Sequence, residues 1–87
     1  MGEESTLGIY AIFDKKSERY DTPFIAYSDL FAKRRFMLML DEDGPLKKWP
    51  EDFRLDKVGT FDVKTSNVNE MKTMLIEAGA VIKKEEN

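Results

Sequence analysis

The pattern of apolar and polar positions along the chain predicts three strands. Residues 7–13 are apolar on both faces of an extended chain, which is typical of a central strand. Residues 20–27 are also extended, but Pro23 cannot donate a ladder hydrogen bond and confines this strand to a sheet edge or to a later start. Residues 53–61 alternate with a period of two, and Gly59 within them indicates a bulge or the close approach of another backbone. The two predicted faces of this third strand are Phe53, Leu55, Gly59 and Phe61 on one side and Arg54, Asp56, Val58 and Thr60 on the other.

One helix is predicted between the second and third strands, at residues 29–41. Ser28 stands where an N-cap is expected, and Asp29 places a negative charge at the positive end of the helix dipole. Residues 30–40 contain neither glycine nor proline. Residues 36–40 are apolar around almost the whole circumference, so they require cover either from the rest of this chain or from a second copy.

Residues 67–79 fit two different elements. Asn67 can cap a helix in which Glu70 reaches back in a capping box, and a glycine follows its last turn. One stripe of that helix would be apolar, with Val68, Met71, Met74, Leu75 and Ala78. This helix is the favoured prediction, and the competing interpretation is a further strand at 68–71 or 73–76 that extends a hairpin.

Together these elements predict an α+β fold in a single domain that spans residues 1–87. A small antiparallel sheet of three to four strands would pack against the one central helix, and the C-terminal segment would add a helix or an extra strand. A chain of 87 residues fits one domain and can bury about 60% of its unfolded surface. Residues 1–6 are predicted to form a disordered leader, and residues 83–87 a solvated tail.

The composition excludes most catalytic chemistry. The chain contains no histidine and no cysteine, and these residues supply most neutral-pH bases, thiolate nucleophiles and small zinc sites. The acidic turn at residues 41–45 lacks the twelve-residue ligand spacing of a calcium loop. We therefore expect a protein that is not an enzyme and that binds no cofactor and no metal. The sequence has no apolar run of membrane-spanning length and no export signal, so we expect a protein that is not secreted and has no membrane partner.

Basic and aromatic residues are the best candidates for binding nucleic acid. Exposed rings can stack on unpaired bases while lysine and arginine hold the phosphates, a combination suited to single strands. The net charge of −3 does not attract an anion at long range, so such binding would be local. The alternative is that the basic side chains are merely solvated and that the tyrosines belong to the edge of the core. The candidate nucleic-acid-binding residues are Lys33, Arg34, Arg35, Lys47, Lys48, Trp49, Tyr10 and Tyr27.

Apolar residues on the helix and in the C-terminal segment are candidates for a protein interface. Methionine adapts to irregular surfaces, and several of these residues are methionine. The alternative is that they form only the core of this chain, and a homodimer would satisfy both interpretations because a short chain gains core by pairing. The candidate interface residues are Phe36, Met37, Met39, Leu40, Met71, Met74 and Leu75.

Several segments follow one another in a distinctive order and spacing. They are Ile9 to Asp14, Tyr20 to Phe24, a helix start at Ser28-Asp29, and Pro-Glu-Asp-Phe-x-Leu-x-x-Val-Gly-x-Phe-Asp from Pro50 to Asp62. Between about residues 9 and 68 the chain thus resembles the small nonstructural protein of gokushovirus-type microviruses, tailless phages with circular single-stranded DNA genomes. The tail from Met71 onward matches no part of that pattern.

The resemblance implies a non-virion accessory protein in the cytoplasm of the infected bacterial host. Its expected role is in viral single-stranded DNA synthesis or in the switch to packaging, and the family brings no catalytic residues. Two functions stay open. The first is binding of single-stranded DNA through the basic and aromatic surface, although the acidic balance argues against a simple coating role. The second is a protein-interaction module, including a homodimer, that regulates a replication or host factor through an apolar helix surface.

Overall fold

The computed structural model describes residues 5–81, which form an antiparallel sheet and two α-helices. The strands are β1 (Thr6–Asp14), β2 (Arg19–Tyr20), β3 (Phe24–Ala26), β4 (Phe53–Asp62) and β5 (Val68–Glu77). The helices are α1 (Asp29–Asp41) and α2 (Pro45–Lys48), and a 3-10 turn (Pro50–Asp52) leads into β4. A further helical turn begins at Ala78 and runs through Val81. The parts of the predicted leader and tail at positions 1–4 and 83–87 lie outside the described residues, whereas Thr6 already belongs to β1.

The sheet has the order β2-β1-β4-β5, and β3 pairs with β1 as well. The predicted α+β fold with an antiparallel sheet is therefore confirmed, and β1 is central as its apolar faces indicated. The sheet has five strands instead of three to four because residues 20–27 are not one strand. The chain leaves the sheet at residues 21–23, where Pro23 cannot donate to the ladder, and returns as β3 on the same edge of β1.

Helix α1 covers one face of the sheet and builds the core there. Ser28 caps the helix as predicted, since its Oγ accepts a hydrogen bond from the backbone N–H of Phe31 at 3.3 Å. The buried helix residues recur every four positions, which places them in one stripe against the strands. The buried core consists of Tyr10, Ile12, Ala32, Phe36, Leu40, Phe53, Leu55, Ala78 and Val81. The opposite face of the sheet carries no helix among the described residues.

Gly59 marks an irregularity in β4, as predicted. Ile9 of β1 lies opposite Gly59, but the next residue, Tyr10, lies opposite Lys57, so Val58 is an extra residue in the ladder. A Cβ atom on Gly59 would lie 2.7 Å from the carbonyl oxygen of Asn69 in β5. The bulge reverses the alternation, so the predicted single face with Phe53, Leu55, Gly59 and Phe61 is wrong. Phe53 and Leu55 lie on the face that carries Tyr10 and Ile12. Gly59 and Phe61 lie on the opposite face, with Leu7 and Ile9.

The favoured helix at residues 67–79 is wrong, because residues 68–77 form strand β5, as the competing interpretation held. β5 pairs antiparallel with β4 from Val68 opposite Phe61 to Glu77 opposite Arg54, and the register shifts twice, between Gly59 and Lys57 and between Asp56 and Leu55 of β4. The ladder to β4 outweighs the helical spacing of the apolar residues. The first seven residues of β5 are exposed, so the described residues leave Val68, Met71 and Met74 of the predicted stripe uncovered, whereas Leu75 is partly buried and Ala78 is fully buried.

Asp14 and Asp62 end β1 and β4 in the same way. The Oδ1 atom of each aspartate accepts a hydrogen bond from the backbone N–H two residues later, at 2.9 and 2.8 Å. The fourth residue after each aspartate, Glu18 or Ser66, has a left-handed backbone with φ of 60° and 64°. Its N–H donates to the aspartate carbonyl at 2.7 Å in both turns. The two hairpins are thus closed by one turn structure used twice.

Candidate functional site

The candidate nucleic-acid interface is the outer surface of α1 together with Tyr27, the residue before the cap Ser28. The rings of Tyr27 and Phe31 are 80% and 53% exposed and meet edge to face with centroids 6.1 Å apart. Arg34 follows Phe31 by three positions and is exposed, so it lies on the same side of the helix. We call Tyr27, Phe31 and Arg34 the aromatic–arginine ridge. It places two open rings beside one cation.

The other two basic residues predicted on α1 have partners in the chain. The guanidinium carbon of Arg35 lies 4.7 Å from the centroid of the Phe24 ring, in a cation–π contact with the edge strand β3. Lys33 is half-buried; the hydrogen bond from Tyr10 holds the pKa of Asp29 below its usual value, and the charges of Lys57 and Lys33 act in the same direction. Of the three predicted cations on α1, Arg34 and Arg35 are exposed.

The residues predicted on the second connection form a separate group. Lys47 makes a 3.7 Å ion pair with Asp43, and the ammonium of Lys48 lies 5.6 Å from the ring of Trp49. Trp49 is 57% exposed and could stack on a base. The acidic residues 41–43 stand between this group and the ridge along the chain.

Tyr10 is a correction to the predicted nucleic-acid-binding set. The residue is fully buried, and its hydroxyl donates a 2.7 Å hydrogen bond to Oδ1 of Asp29 at the start of α1. Its ring stacks on Phe24, with centroids 5.8 Å apart, inside the core. No face of the ring is open to a base. Burial raises the pKa of the Tyr10 hydroxyl, and the hydrogen bond to Asp29 and the negative charge of Asp29 raise it further.

Two of the predicted interface residues are also corrected, because Phe36 and Leu40 are 0% and 4% exposed and belong to the core of this chain. Met39 and Leu75 are partly buried and pack against that core. Met37, Met71 and Met74 are exposed and remain candidates. Leu38, within the apolar segment 36–40, is 66% exposed, and the sequence reasoning missed two further exposed apolar residues of α1, Leu30 and Phe31, at 58% and 53% exposure. Their spacing relative to the core stripe of 32, 36 and 40 could have identified them.

A second cluster, which the sequence reasoning missed, lies on the sheet face opposite α1. Asp56 is 5% exposed, and its carboxylate accepts hydrogen bonds from the Tyr20 hydroxyl at 2.6 Å and from Nε of Arg54 at 3.0 Å. The guanidinium carbon of Arg54 also lies 4.4 Å from the ring centroid of Phe13, whose ring contacts Tyr20. We call these four residues the Asp56 cluster. The arginine and the aspartate two positions apart on one strand were the available signal.

Electrostatics in the Asp56 cluster favour its hydrogen-bonded form. The hydrogen bond to Asp56 raises the pKa of the Tyr20 hydroxyl, with burial adding to the effect. The same carboxylate raises the pKa of Arg54. The Tyr20 hydroxyl, the Asp56 carboxylate and Nε of Arg54 are hydrogen-bonded to one another, which is typical of a structural network.

Between residues 5 and 81 no three acidic side chains come close enough together to ligate a cation. In the same range no helix has the length and apolar character needed to cross a bilayer.

Comparison with known proteins gives one match. The profile of a family described as Phage ORF5 protein matches residues 7–81, from the start of β1 to the helical turn after β5. No curated protein and no solved structure matches the chain. The matched range takes in the whole sheet, both helices, the aromatic–arginine ridge and the Asp56 cluster. The chain therefore belongs to the Phage ORF5 protein family.

Proposed function

We propose that this phage protein is a non-enzymatic accessory factor that binds single-stranded DNA through the aromatic–arginine ridge. The observation that carries the proposal is the pair of exposed, contacting rings of Tyr27 and Phe31 beside Arg34. Stacking on an aromatic ring requires unpaired bases, so the ridge suits a single strand better than a duplex. Arg35 and Lys33 add positive charge next to the rings.

The biological setting follows from the resemblance and the family together. The family match supports a phage protein, and the ordered segments between about residues 9 and 68 support a gokushovirus-type microvirus. Such a phage has a single-stranded DNA genome. We therefore propose a nonstructural protein in the cytoplasm of the infected bacterium that acts in viral DNA synthesis or in the switch to packaging.

Titration of a fluorescently labelled single-stranded oligonucleotide tests the proposal. We expect binding at low ionic strength that weakens as salt is added, because phosphate contacts release counterions. Phe31→Ala removes one stacking ring and should weaken binding by about 5- to 150-fold, given about 1–3 kcal/mol for each stacked base. Arg34→Gln should weaken binding and also make it less sensitive to salt.

Lys16→Gln is the matched control, since it removes one exposed positive charge from the turn between β1 and β2 and leaves α1 intact. It should change the affinity much less than Arg34→Gln does. The proposal fails if no binding is detected at low ionic strength. It also fails if the ridge variants bind as tightly as the Lys16→Gln protein.

Exposed aliphatic residues on the same helix support a second candidate, a protein-interaction module. Leu30, Met37 and Leu38 are 58%, 43% and 66% exposed, and apolar side chains clustered on one helix often mark a docking surface. The partner would be a second copy of the chain or a replication or host protein. If a second copy docks here, Leu38→Ser should abolish its association in light scattering. Leu38 lies four residues after Arg34, and the neutral serine adds no negative charge beside the ridge, so the oligonucleotide affinity should stay nearly unchanged.

A further inference from the structure

Strand β5 presents a long open edge. Its ten residues pair with β4 on one side, and within residues 5–81 no strand pairs with its other side. Exposed edges normally carry proline, inward-pointing charge or very short strands, which prevent pairing with another chain. β5 has no proline and no glycine, and its residues 68–74 are all exposed. Among the described residues the outer edge of β5 therefore has no backbone partner along seven exposed residues, and its ladder to β4 shifts register once within them, where Met71 and Lys72 together face Val58.

Residues 68–74 are also self-complementary about their centre. Consider two antiparallel copies related by a two-fold axis at Met71. Glu70 of each copy then lies opposite Lys72 of the other copy, so the interface contains two such pairs. The same alignment sets Val68 opposite Met74 and Asn69 opposite Thr73. In this alignment apolar side chains lie opposite apolar ones, polar side chains lie opposite polar ones, and each charged side chain lies opposite one of the other sign.

The neighbouring alignments are unfavourable. Opposite residues of an antiparallel pair must share a face, so the alignment can shift only in steps that move the axis by one residue. An axis at Lys72 would put two lysines directly opposite each other, and an axis at Glu70 would put two glutamates there. Like charges in direct opposition are destabilising. The charges therefore select the alignment centred on Met71.

We propose that two copies of this chain associate through their β5 edges, antiparallel, with Met71 on the two-fold axis. The two five-stranded sheets then form one continuous sheet of ten strands. The axis is perpendicular to the sheet, so both α1 helices lie on the same face. This interface is separate from the aromatic–arginine ridge and does not depend on DNA binding.

Charge exchange tests the proposal by sedimentation or light scattering over a range of protein concentrations. The unmodified chain should be a dimer. Glu70→Lys alone or Lys72→Glu alone makes both opposed pairs repulsive and should raise the dimer dissociation constant about tenfold or more. The double variant Glu70→Lys/Lys72→Glu restores opposite charges and should dimerise again. An equimolar mixture of the two single variants should form a heterodimer, because one chain then carries two lysines at positions 70 and 72 and the other carries two glutamates opposite them.

Arg19→Glu is the matched control, as it makes the same charge change on β2 at the opposite edge of the sheet and should leave the dimer intact. Leu38→Ser should also leave the dimer intact. Circular dichroism of each single variant shows whether the monomer is folded. A chain that stays monomeric at millimolar concentration overturns the proposal. So do single reversals that dimerise like the unmodified chain, a double variant or mixture that fails to associate, or a dimer lost on Leu38→Ser alone.

Discussion

Asp56 shows how one buried charge can fasten an edge strand. Asp56 is 5% exposed, and its carboxylate accepts a hydrogen bond from Arg54 on its own strand. It also accepts one from the hydroxyl of Tyr20 on β2, which lies on the other side of β1. β2 has only two residues, so its ladder to β1 contributes little by itself. The Tyr20 hydroxyl bond therefore adds a side-chain anchor that joins β2 to the far side of the central strand.

This anchor predicts coupled losses of stability. Tyr20→Phe should lower the free energy of unfolding by about 1 kcal/mol, and Asp56→Ala by about 2 kcal/mol because it also leaves Arg54 without its acceptor. The double variant should lose less than the sum, since both changes remove the same hydrogen bond. Urea unfolding of the four proteins measures the coupling. Fully additive losses would contradict an anchor formed by this pair.

Tyr10 predicts a dependence on alkaline pH. Burial and Asp29 raise the pKa of its hydroxyl in the folded chain above the ordinary value of 10.0, so the folded state holds this proton more tightly than the unfolded state does. The resulting stability is fully present below about pH 10 and is lost as the pH rises further. The melting temperature of the unmodified chain should therefore fall more steeply above about pH 10 than that of Tyr10→Phe.

At neutral pH, Tyr10→Phe should cost about 1 kcal/mol, the low end for a hydrogen bond to a charged group because Asp29 is half exposed. Tyr27→Phe is the control, since its ring is 80% exposed. Equal alkaline slopes for the unmodified chain and Tyr10→Phe would show that Tyr10 does not carry the effect.

Individual residues of the site were predictable only where the sequence fixes their environment. Ser28 was identified as a cap because its position before an uninterrupted helix leaves few other roles. Tyr10 was assigned to the wrong environment, because a strand that is apolar on both faces does not reveal which face the helix will cover. Tyr20 and Asp56 are 36 positions apart, and only the strand order brings them together.

At the scale of elements, the strands and helix within residues 6–62 were largely predictable because each has a strong period and clear ends. β5 was not, since an edge strand exposed on both faces needs no apolar alternation and carries no period of two. Its apolar residues fell by chance at helical spacing. The β-branched residues Val68, Thr73 and Ile76 were the remaining signal for a strand.

Gly59 tests how closely β4 and β5 must approach. Gly59→Ala places a Cβ atom 2.7 Å from the backbone oxygen of Asn69, and backbone cannot move aside as a side chain can. We expect a loss of about 1–3 kcal/mol in the free energy of unfolding. Gly44→Ala is the matched control, because no atom lies within 4 Å of the added methyl group. Equal stability of the two variants would show that the strands separate there without cost.

At the scale of the whole molecule, the net charge of −3 leaves little long-range attraction for DNA, so a single ridge would bind weakly in salt. Pairing through β5 would place two ridges on one face of the extended sheet. One flexible strand could then contact both, which raises the affinity without new kinds of contact.

This arrangement predicts a dependence on oligonucleotide length. An oligonucleotide long enough to reach both ridges should bind the unmodified chain more tightly, per site, than a short one. The ratio of the two affinities should fall toward one for Glu70→Lys and for Lys72→Glu alike, although these changes shift the net charge in opposite directions. Fluorescence anisotropy with short and long oligonucleotides measures the ratio. A ratio that follows the net charge and not the pairing of the chains would contradict the arrangement.

The repeated aspartate turns lie at opposite ends of the sheet, because β1 and β4 run antiparallel and each turn follows the last residue of its strand. Lys16 and Lys64 occupy the same position in the two turns, and both side chains are exposed. Since the chain has no cysteine, Lys16→Cys and Lys64→Cys would supply the only two thiols for attaching a pair of dyes. Nine residues of strand separate them by about 30 Å, a distance at which energy transfer follows the opening of the sheet in single molecules.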